Sequence, residues 1–305
     1  MRKLIWLSIL IVLLAACGAP PAPPTTAPQI TLPTAAPTQA SNTPAVDLSA
    51  ELNALKAGDT ATAMTGLEKI LANAPASPEA HLLLGQAYYR ADQKDKAQEQ
   101  FLAAFQLNPA AVPPLDSQDA DEWLKMGNAH ASLSQLGEAL AAYQTALKIR
   151  PDKAAALTNV GVVYYQQGKF DAAVQQLQKA LEIDPKDAET QYMLGATYVQ
   201  QQKLDEAEQS FNKAIELKPD LAEAYTGLGN VQLARKNVDE AVKILQEATS
   251  LQPDQAEAWL ALGQAYAGQG HKTEASQALN QCVQISQPGP LRSACEQVLQ
   301  QLGTP

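Results

Sequence analysis

Beyond about residue 47, apolar and polar positions recur with a helical period, and a longer period runs over it. Small residues mark the longer one. Gly127, Gly161, Gly195, Gly229 and Gly263 fall 34 residues apart. Ala139, Ala173, Ala207, Ala241 and Ala275 keep that interval, as do Pro151, Pro185, Pro219 and Pro253. Leu, Tyr and Phe fill the positions between, as at Leu194, Tyr198 and Phe211. Such self-similarity predicts one helix-turn-helix unit per period. No single pair of helices buries its own apolar face, so neighbouring units must stack. The predicted fold is all-α.

Each small residue has a role in that picture. Glycine in the middle of a first helix and alanine early in the second let two backbones approach closely. Asp171, Asp205 with Glu206, Asp239 with Glu240, and Glu274 open the second helices, where negative charge suits the helix dipole. Proline then closes each second helix, because it disfavours helical geometry in the residue before it.

The motifs themselves carry a resemblance. Gly161-Val162-Val163-Tyr164 leads to Gly168-Lys169-Phe170-Asp171-Ala172-Ala173, then Leu177, Ala180 and Pro185. Leu194-Gly195-Ala196-Thr197-Tyr198, Ala207, Phe211, Ala214 and Pro219 repeat the series, and Trp259, Leu262, Gly263, Tyr266, Ala275 and Leu279 repeat it again. These units resemble tetratricopeptide repeats, which implies a right-handed α-solenoid. The units expected are 120–153, 154–187, 188–221, 222–255 and 256–289. A further unit at 78–109 carries His81, Leu84, Gly85, Tyr88, Ala97, Phe101, Ala104 and Pro109. Gly85 lies 42 residues before Gly127, so an insertion is expected at 110–119. A degenerate unit fits 47–77, with Gly58, Ala63, Leu67 and Ile70 but Glu51 in the small-residue position. Residues 290–305 read as a solvating, capping C-terminal helix.

The chain before residue 47 has another character. Arg2 and Lys3 precede an apolar run from Leu4 to Ala16, broken only by Ser8, which is a signal-peptide pattern. A helix needs about 20 residues to cross a bilayer, so this run is too short for a comfortable span. Leu14-Ala15-Ala16-Cys17 resembles the lipobox of bacterial lipoproteins. That resemblance implies a signal peptide at 1–16, cleavage before Cys17 and a diacylglycerol on its sulfur. Acyl chains anchor by burying CH₂ groups at about 0.8 kcal/mol each. Residues 17–46 continue with eight prolines and no charged side chain. Such a segment cannot bury enough apolar surface to fold, and is expected to tether a folded domain away from a membrane. In polyproline form it would reach roughly 90 Å, at about 3.1 Å per residue.

Charge and chemistry narrow the function. The net charge of −10 becomes −12 once Arg2 and Lys3 are removed with the signal. That sign argues against nucleic acid, which needs a basic face, and against peripheral binding to anionic lipid. The three histidines, His81, His130 and His271, fall in three different units. No metal-binding, nucleotide-binding or paired-cysteine motif accompanies them. The repeats leave no room for a catalytic domain, so neither an enzyme nor a metal or other cofactor is expected.

Cys282 stands where other units carry an alanine, and Cys295 lies on the following helix. In an extracytoplasmic chain this suggests a disulfide; two buried thiols acting as small apolar residues are the alternative.

In the resembling family the first helices line a concave surface that binds a peptide or partner helix. The corresponding residues are Gln86, Tyr89, Lys125, Asn128, Asn159, Tyr165, Tyr192, Asn230 and Gln264. Asn128 and Asn159 match the two asparagines of the carboxylate-clamp subfamily. Its basic positions are Leu124, Glu189 and Met193 here, which removes the grip on a terminal carboxylate. Glu79, Asp121, Glu189, Glu223 and Glu257 recur at the starts of first helices, either as dipole partners or as an acidic edge. The expected ligand is a neutral or basic peptide or protein. The expected function is a lipid-anchored scaffold on the extracytoplasmic face of a cell membrane. Rival readings are an assembly lipoprotein of the pilotin type, serving a secretin or outer-membrane complex, and a cell-wall glycan-binding module.

Overall fold

The computed structural model describes residues 46–113 and 117–303. The signal segment, Cys17 and the tether up to residue 45 lie outside the described residues. Fifteen helices and no strand occur among the described residues. In chain order the first eight are α1 (Ser49–Lys56), α2 (Thr60–Asn73), α3 (Pro78–Arg90), α4 (Lys94–Leu107), α5 (Ala120–Ser132), α6 (Leu136–Ile149), α7 (Ala154–Gln166) and α8 (Phe170–Ile183). The other seven are α9 (Ala188–Gln200), α10 (Leu204–Leu217), α11 (Ala222–Ala234), α12 (Val238–Leu251), α13 (Ala256–Gln269), α14 (Lys272–Ile285) and α15 (Pro290–Gln301). The chain divides into two compact units, one running to Val163 and the other starting at Tyr164, so the boundary falls inside α7.

Within each unit, short connections make successive helices antiparallel neighbours. The first-helix glycines make the pairing close. A Cβ on Gly85 would collide with the Phe101 ring, one on Gly127 with Tyr143, and one on Gly195 with Phe211. On Gly229 and Gly263 the obstacle would be Leu245 and Leu279. The small alanines that open the second helices, Ala97, Ala139, Ala173, Ala207, Ala241 and Ala275, are all fully buried.

The turn inside each repeat has one demanding residue. Gly58, Gly168 and Gly270 adopt left-handed φ of 84°, 72° and 83°. Asp92, Ser134, Gln202 and Lys236 occupy the same place with φ between 58° and 64°. Helix starts are better provided. Asp59, Ser77, Asp119 and Asp187 cap α2, α3, α5 and α9 by accepting from backbone N–H groups of the first turn, satisfying donors that no helix can satisfy internally.

Neighbouring repeats are bonded through recurrent side chains. The fourth residue of several first helices reaches back to a carbonyl six residues earlier. Trp123 Nε1 donates to Ser117 O at 2.9 Å, Tyr225 Oη to Pro219 O at 3.2 Å, and Trp259 Nε1 to Pro253 O at 2.8 Å. His81 Nε2 lies 3.0 Å from Pro75 O in the same arrangement. In the second unit Gln201 donates to Asp171 and Gln269 to Asp239, both at 2.7 Å, and Arg235 pairs with Asp205. The aspartates that open second helices therefore also hold the following repeat.

At the C-terminal end α15 packs Leu291, Ala294, Val298 and Leu299 against Leu260 and Leu279. A disulfide joins Cys282 of α14 to Cys295 of α15, with Cα atoms 6.3 Å apart.

Candidate functional site

In the unit ending at Val163, three side chains from three helices meet at one amide. Gly127 leaves room for the Tyr143 ring to pass beneath α5. The Tyr143 hydroxyl then donates to Asn128 Oδ1 at 2.8 Å, and Asn159 Nδ2 of α7 donates to the same oxygen at 2.9 Å. Asn128 and Asn159 are half-buried, whereas Tyr143 is buried. Burial raises the Tyr143 phenol above its ordinary pKa, so it stays a neutral donor.

In the same unit a cleft of about 640 Å³ includes Tyr89, Arg90, Lys94, Asp119, Asp121 and Glu122 in its walls. Glu122 is 2% exposed. Its Oε1 accepts from Gln86 Nε2 at 2.8 Å and its Oε2 from Ser117 Oγ at 2.7 Å. Burial raises the Glu122 pKa, while those two hydrogen bonds oppose the rise. Tyr89, half-buried, has its phenol raised first by burial and then by the charges of Asp119 and Asp121. Ser117 lies within the inserted segment, so the insertion supplies part of this wall.

The sequence-predicted groove residues do not share one environment. Tyr89, Lys125, Asn128, Asn159 and Tyr192 are half-buried and reach the surface. Gln86, Asn230 and Gln264 are only 0%, 5% and 4% exposed, and Tyr165 is 5% exposed. These four do not line an open groove. Gln86, Asn230 and Gln264 each follow a glycine of a first helix, and Gln86 points into the seam between consecutive first helices. Gln86 bonding to α5 and Asn128 bonding to α7 show that seam directly. Within the unit that begins at Tyr164, Tyr192 packs against Phe211 with ring centroids 6.0 Å apart, and Tyr165 meets Phe170 edge-on at 5.7 Å.

The acids at first-helix starts are partly spoken for. Asp121 pairs with Lys153 and, at 3.5 Å, with Arg150, while Glu189 lies 3.5 Å from Lys218. They form a weaker acidic edge than a bare count suggests. The histidines remain apart. His81 lies 2.7 Å from Gln100, His130 stacks on Phe105 at 3.6 Å, and His271 is exposed. No group of three potential metal ligands converges among the described residues. No described helix is long and apolar enough to cross a membrane.

Two side chains of this candidate site escaped sequence reasoning. Ser117 sits in an insertion with no repeat to align it to. Tyr143 carried a usable signal, since the corresponding residues are Phe101, Leu177, Phe211, Leu245 and Leu279, none with a hydroxyl.

The stacked pairs define a helical-repeat protein. The chain belongs to the tetratricopeptide repeat family. A profile described as "Tetratricopeptide repeat" matches residues 54–113, 198–259 and 232–290, and one described as "TPR repeat" matches 127–168 and 161–202. Such repeats build protein–protein interaction scaffolds and are typically non-catalytic. Among solved structures, a tetratricopeptide repeat protein from Parabacteroides merdae is similar at a TM-score of 0.55 and 18% identity, over 84% of this chain and 97% of its own. A thermophilic TPR protein from Thermus thermophilus is similar at 0.52 and 21%, over 59% of this chain and 99% of its own. At those identities the likeness is one of fold alone. YrrB, described as a TPR protein with an unusual peptide-binding site, gives 0.46 and 25%, over 66% of this chain and 99% of its own. No curated protein matches the chain.

Proposed function

We propose that this protein is a lipid-anchored scaffold on the extracytoplasmic face of a cell membrane, and that it binds a peptide or protein partner on the first-helix face of its repeats. The observation that carries the binding reading is the half-buried, hydrogen-bonded pair Asn128 and Asn159, on α5 and α7, with the Tyr89 cleft near the start of α5 in the same unit. Amides and a phenol at a surface satisfy an extended backbone's hydrogen bonds and pack against its side chains. Asp92, Asp119 and Asp121 outnumber Arg90 and Lys94 in the cleft wall, which favours a neutral or basic ligand. The anchoring reading rests on the short apolar run and Leu14-Ala15-Ala16-Cys17.

Two experiments in intact cells test the two halves. A photo-crosslinking residue at Tyr89 or Lys125 is expected to capture a discrete partner, and one at exposed Gln175 on α8 is not. Metabolic fatty-acid labelling is expected to disappear in Cys17→Ser. Capture from α8 alone overturns the binding reading, and labelling that persists in Cys17→Ser overturns the anchor.

A further inference from the structure

We propose that the cleft walled by the insertion is a guanidinium site, which takes an arginine side chain of the partner against exposed Asp119 and buried Glu122. This rests on the reading that partners are met on the first-helix face. It names the side chain that one part of that face receives.

Glu122 is out of keeping with its place in the repeat. It lies five residues before the first-helix glycine, Gly127. The same position holds Ala80, Ala156, Thr190, Ala224 and Ala258 in the other repeats, all of them fully buried. The Glu122 carboxylate, 2% exposed, accepts from two neutral groups, Gln86 Nε2 at 2.8 Å and Ser117 Oγ at 2.7 Å. Among the described residues no lysine or arginine forms an ion pair with it. A buried charge without a counter-charge is costly, so packing alone does not account for this residue.

The rest of the wall suits a flat cation. Lys94 is paired with Asp92 at 3.1 Å, and Arg90 Nη1 donates to Leu55 O at 3.1 Å. Both cations of the wall therefore have partners within the fold, and Asp121 is paired with Lys153. Asp119 is exposed and caps α5 by accepting from the Asp121 N–H at 2.8 Å. Like Glu122, it has no ion pair among the described residues. Burial is the main cause of the raised Glu122 pKa, and the charge of Asp119 adds to it. The two carboxylates thus repel, and a cation set against both would relieve that repulsion. A guanidinium fits better than an ammonium. Its planar fork donates to a carboxylate through two N–H groups and stacks on an aromatic face, and Tyr89 stands half-buried in the same wall.

Two tryptophans serve as matched reporters. Trp123 Nε1 donates to Ser117 O in the cleft wall, and Trp259 Nε1 makes the same bond to Pro253 O in the other unit. The test is indole NMR on the detergent-solubilised full chain labelled with ¹⁵N-tryptophan, the signals being assigned with Trp123→Phe. The probes are ethylguanidinium, its neutral analogue ethylurea, and ethylammonium. Ethylguanidinium should shift the Trp123 signal saturably in the millimolar range and leave Trp259 in place. Ethylurea should move neither, and ethylammonium should bind several-fold more weakly. Asp119→Asn keeps a capping side chain, and Glu122→Gln keeps an acceptor for Gln86. Each should weaken ethylguanidinium by roughly tenfold, as loss of a charged partner implies. Should a variant misfold, the contrast between ethylguanidinium and ethylurea on the parent still decides. Equal shifts with ethylurea, equal shifts at Trp259, or undiminished binding by either folded variant would each overturn the proposal. Ethylammonium binding as tightly would overturn the guanidinium assignment. An unmoved Trp123 signal would overturn the proposal, while crosslinks from Tyr89 would keep the first-helix reading standing. Crosslinks from α8 alone would remove that reading itself.

Discussion

Glu51 of α1 lies against Gly66 of α2: a Cβ built on Gly66 would stand 2.6 Å from Glu51 Oε1. In the later repeats the relationship runs the other way, with the glycine on the first helix and the bulky side chain on the second. The degenerate first repeat keeps the close approach by exchanging the partners' roles. The two arrangements respond differently to an added methyl group. Phe101 is fully buried and cannot yield, so Gly85→Ala should destabilise by about 1–3 kcal/mol through overpacking. Glu51 is half-exposed and its carboxylate can swing away. Gly66→Ala should then be neutral or gain up to about 1 kcal/mol of helix propensity. Urea unfolding of the two variants checks the contrast, and equal destabilisation by both would refute it.

Much of this architecture is legible in the order of residues along the chain. The interval of 34 residues among Gly127, Gly161 and Gly195 marks the repeats, and the close approach at those glycines follows from their size. The faces are harder to read. Gln86 and Gln264 fit an open groove by their place in the repeat, and they are buried. A residue one position past the glycine is only about 100° further round the helix, and where that points depends on how adjacent first helices cross. Periodicity within one repeat does not contain that angle. Asp171 and Asp239 suit a helix dipole from sequence alone, whereas their bonds to Gln201 and Gln269 depend on stacking. Tyr143 stands out as the one hydroxyl in its column, but its reach to Asn128 exists only because Gly127 is directly above it.

The left-handed turn position offers a route to stabilisation. Gln202 and Ser134, both exposed, adopt φ of 60° and 58° where Gly168 and Gly270 serve other repeats. A left-handed residue with a Cβ costs about 1–2 kcal/mol, partly offset because glycine loses more entropy on folding. Gln202→Gly and Ser134→Gly should therefore each stabilise by roughly 0.5–1 kcal/mol, and Gly168→Ala should destabilise by a similar amount. Thermal melts of the single variants decide it. A loss of stability in both glycine variants would show that the turn side chains contribute more than their conformation costs.

Glu122 should give the protein a pH-dependent term of unusual sign. Its folded pKa is raised above the ordinary 4.5, mainly by burial. Between the ordinary value and the raised one, the folded state therefore holds a proton that the unfolded state has released. Stability from this group is present below the ordinary value and lost as pH rises through the folded one. His130 runs oppositely. Burial lowers its pKa below 6.5, so its stability is present above that value and lost as pH falls. Glu122→Gln keeps a neutral acceptor for Gln86 and offers a donor to Ser117, and it removes the first term alone. Relative to the parent, the variant should gain stability steadily between acidic and neutral pH in denaturant titrations. A pH-independent difference would mean that Glu122 does not change protonation on folding.

The Cys282–Cys295 bond should hold the capping helix rather than the whole stack. It closes a sequence separation of 13 residues, for which chain-entropy reasoning gives roughly 3 kcal/mol. That contribution falls where local packing is thinnest. Cys295 is the one fully buried residue of α15, and the rest of its apolar face is half-buried. A helix of 12 residues is marginal without tertiary support. In Cys282→Ala with Cys295→Ala, backbone amides of α15 should exchange much faster, while those of α13 keep most of their protection. The parent should accept no thiol alkylation at these two positions when denatured without reductant, and should accept two labels after reduction. Two reactive thiols before reduction would show that the bond is absent in solution. Unchanged exchange in the double variant would show that the apolar contacts to Leu260 and Leu279 already suffice to dock α15.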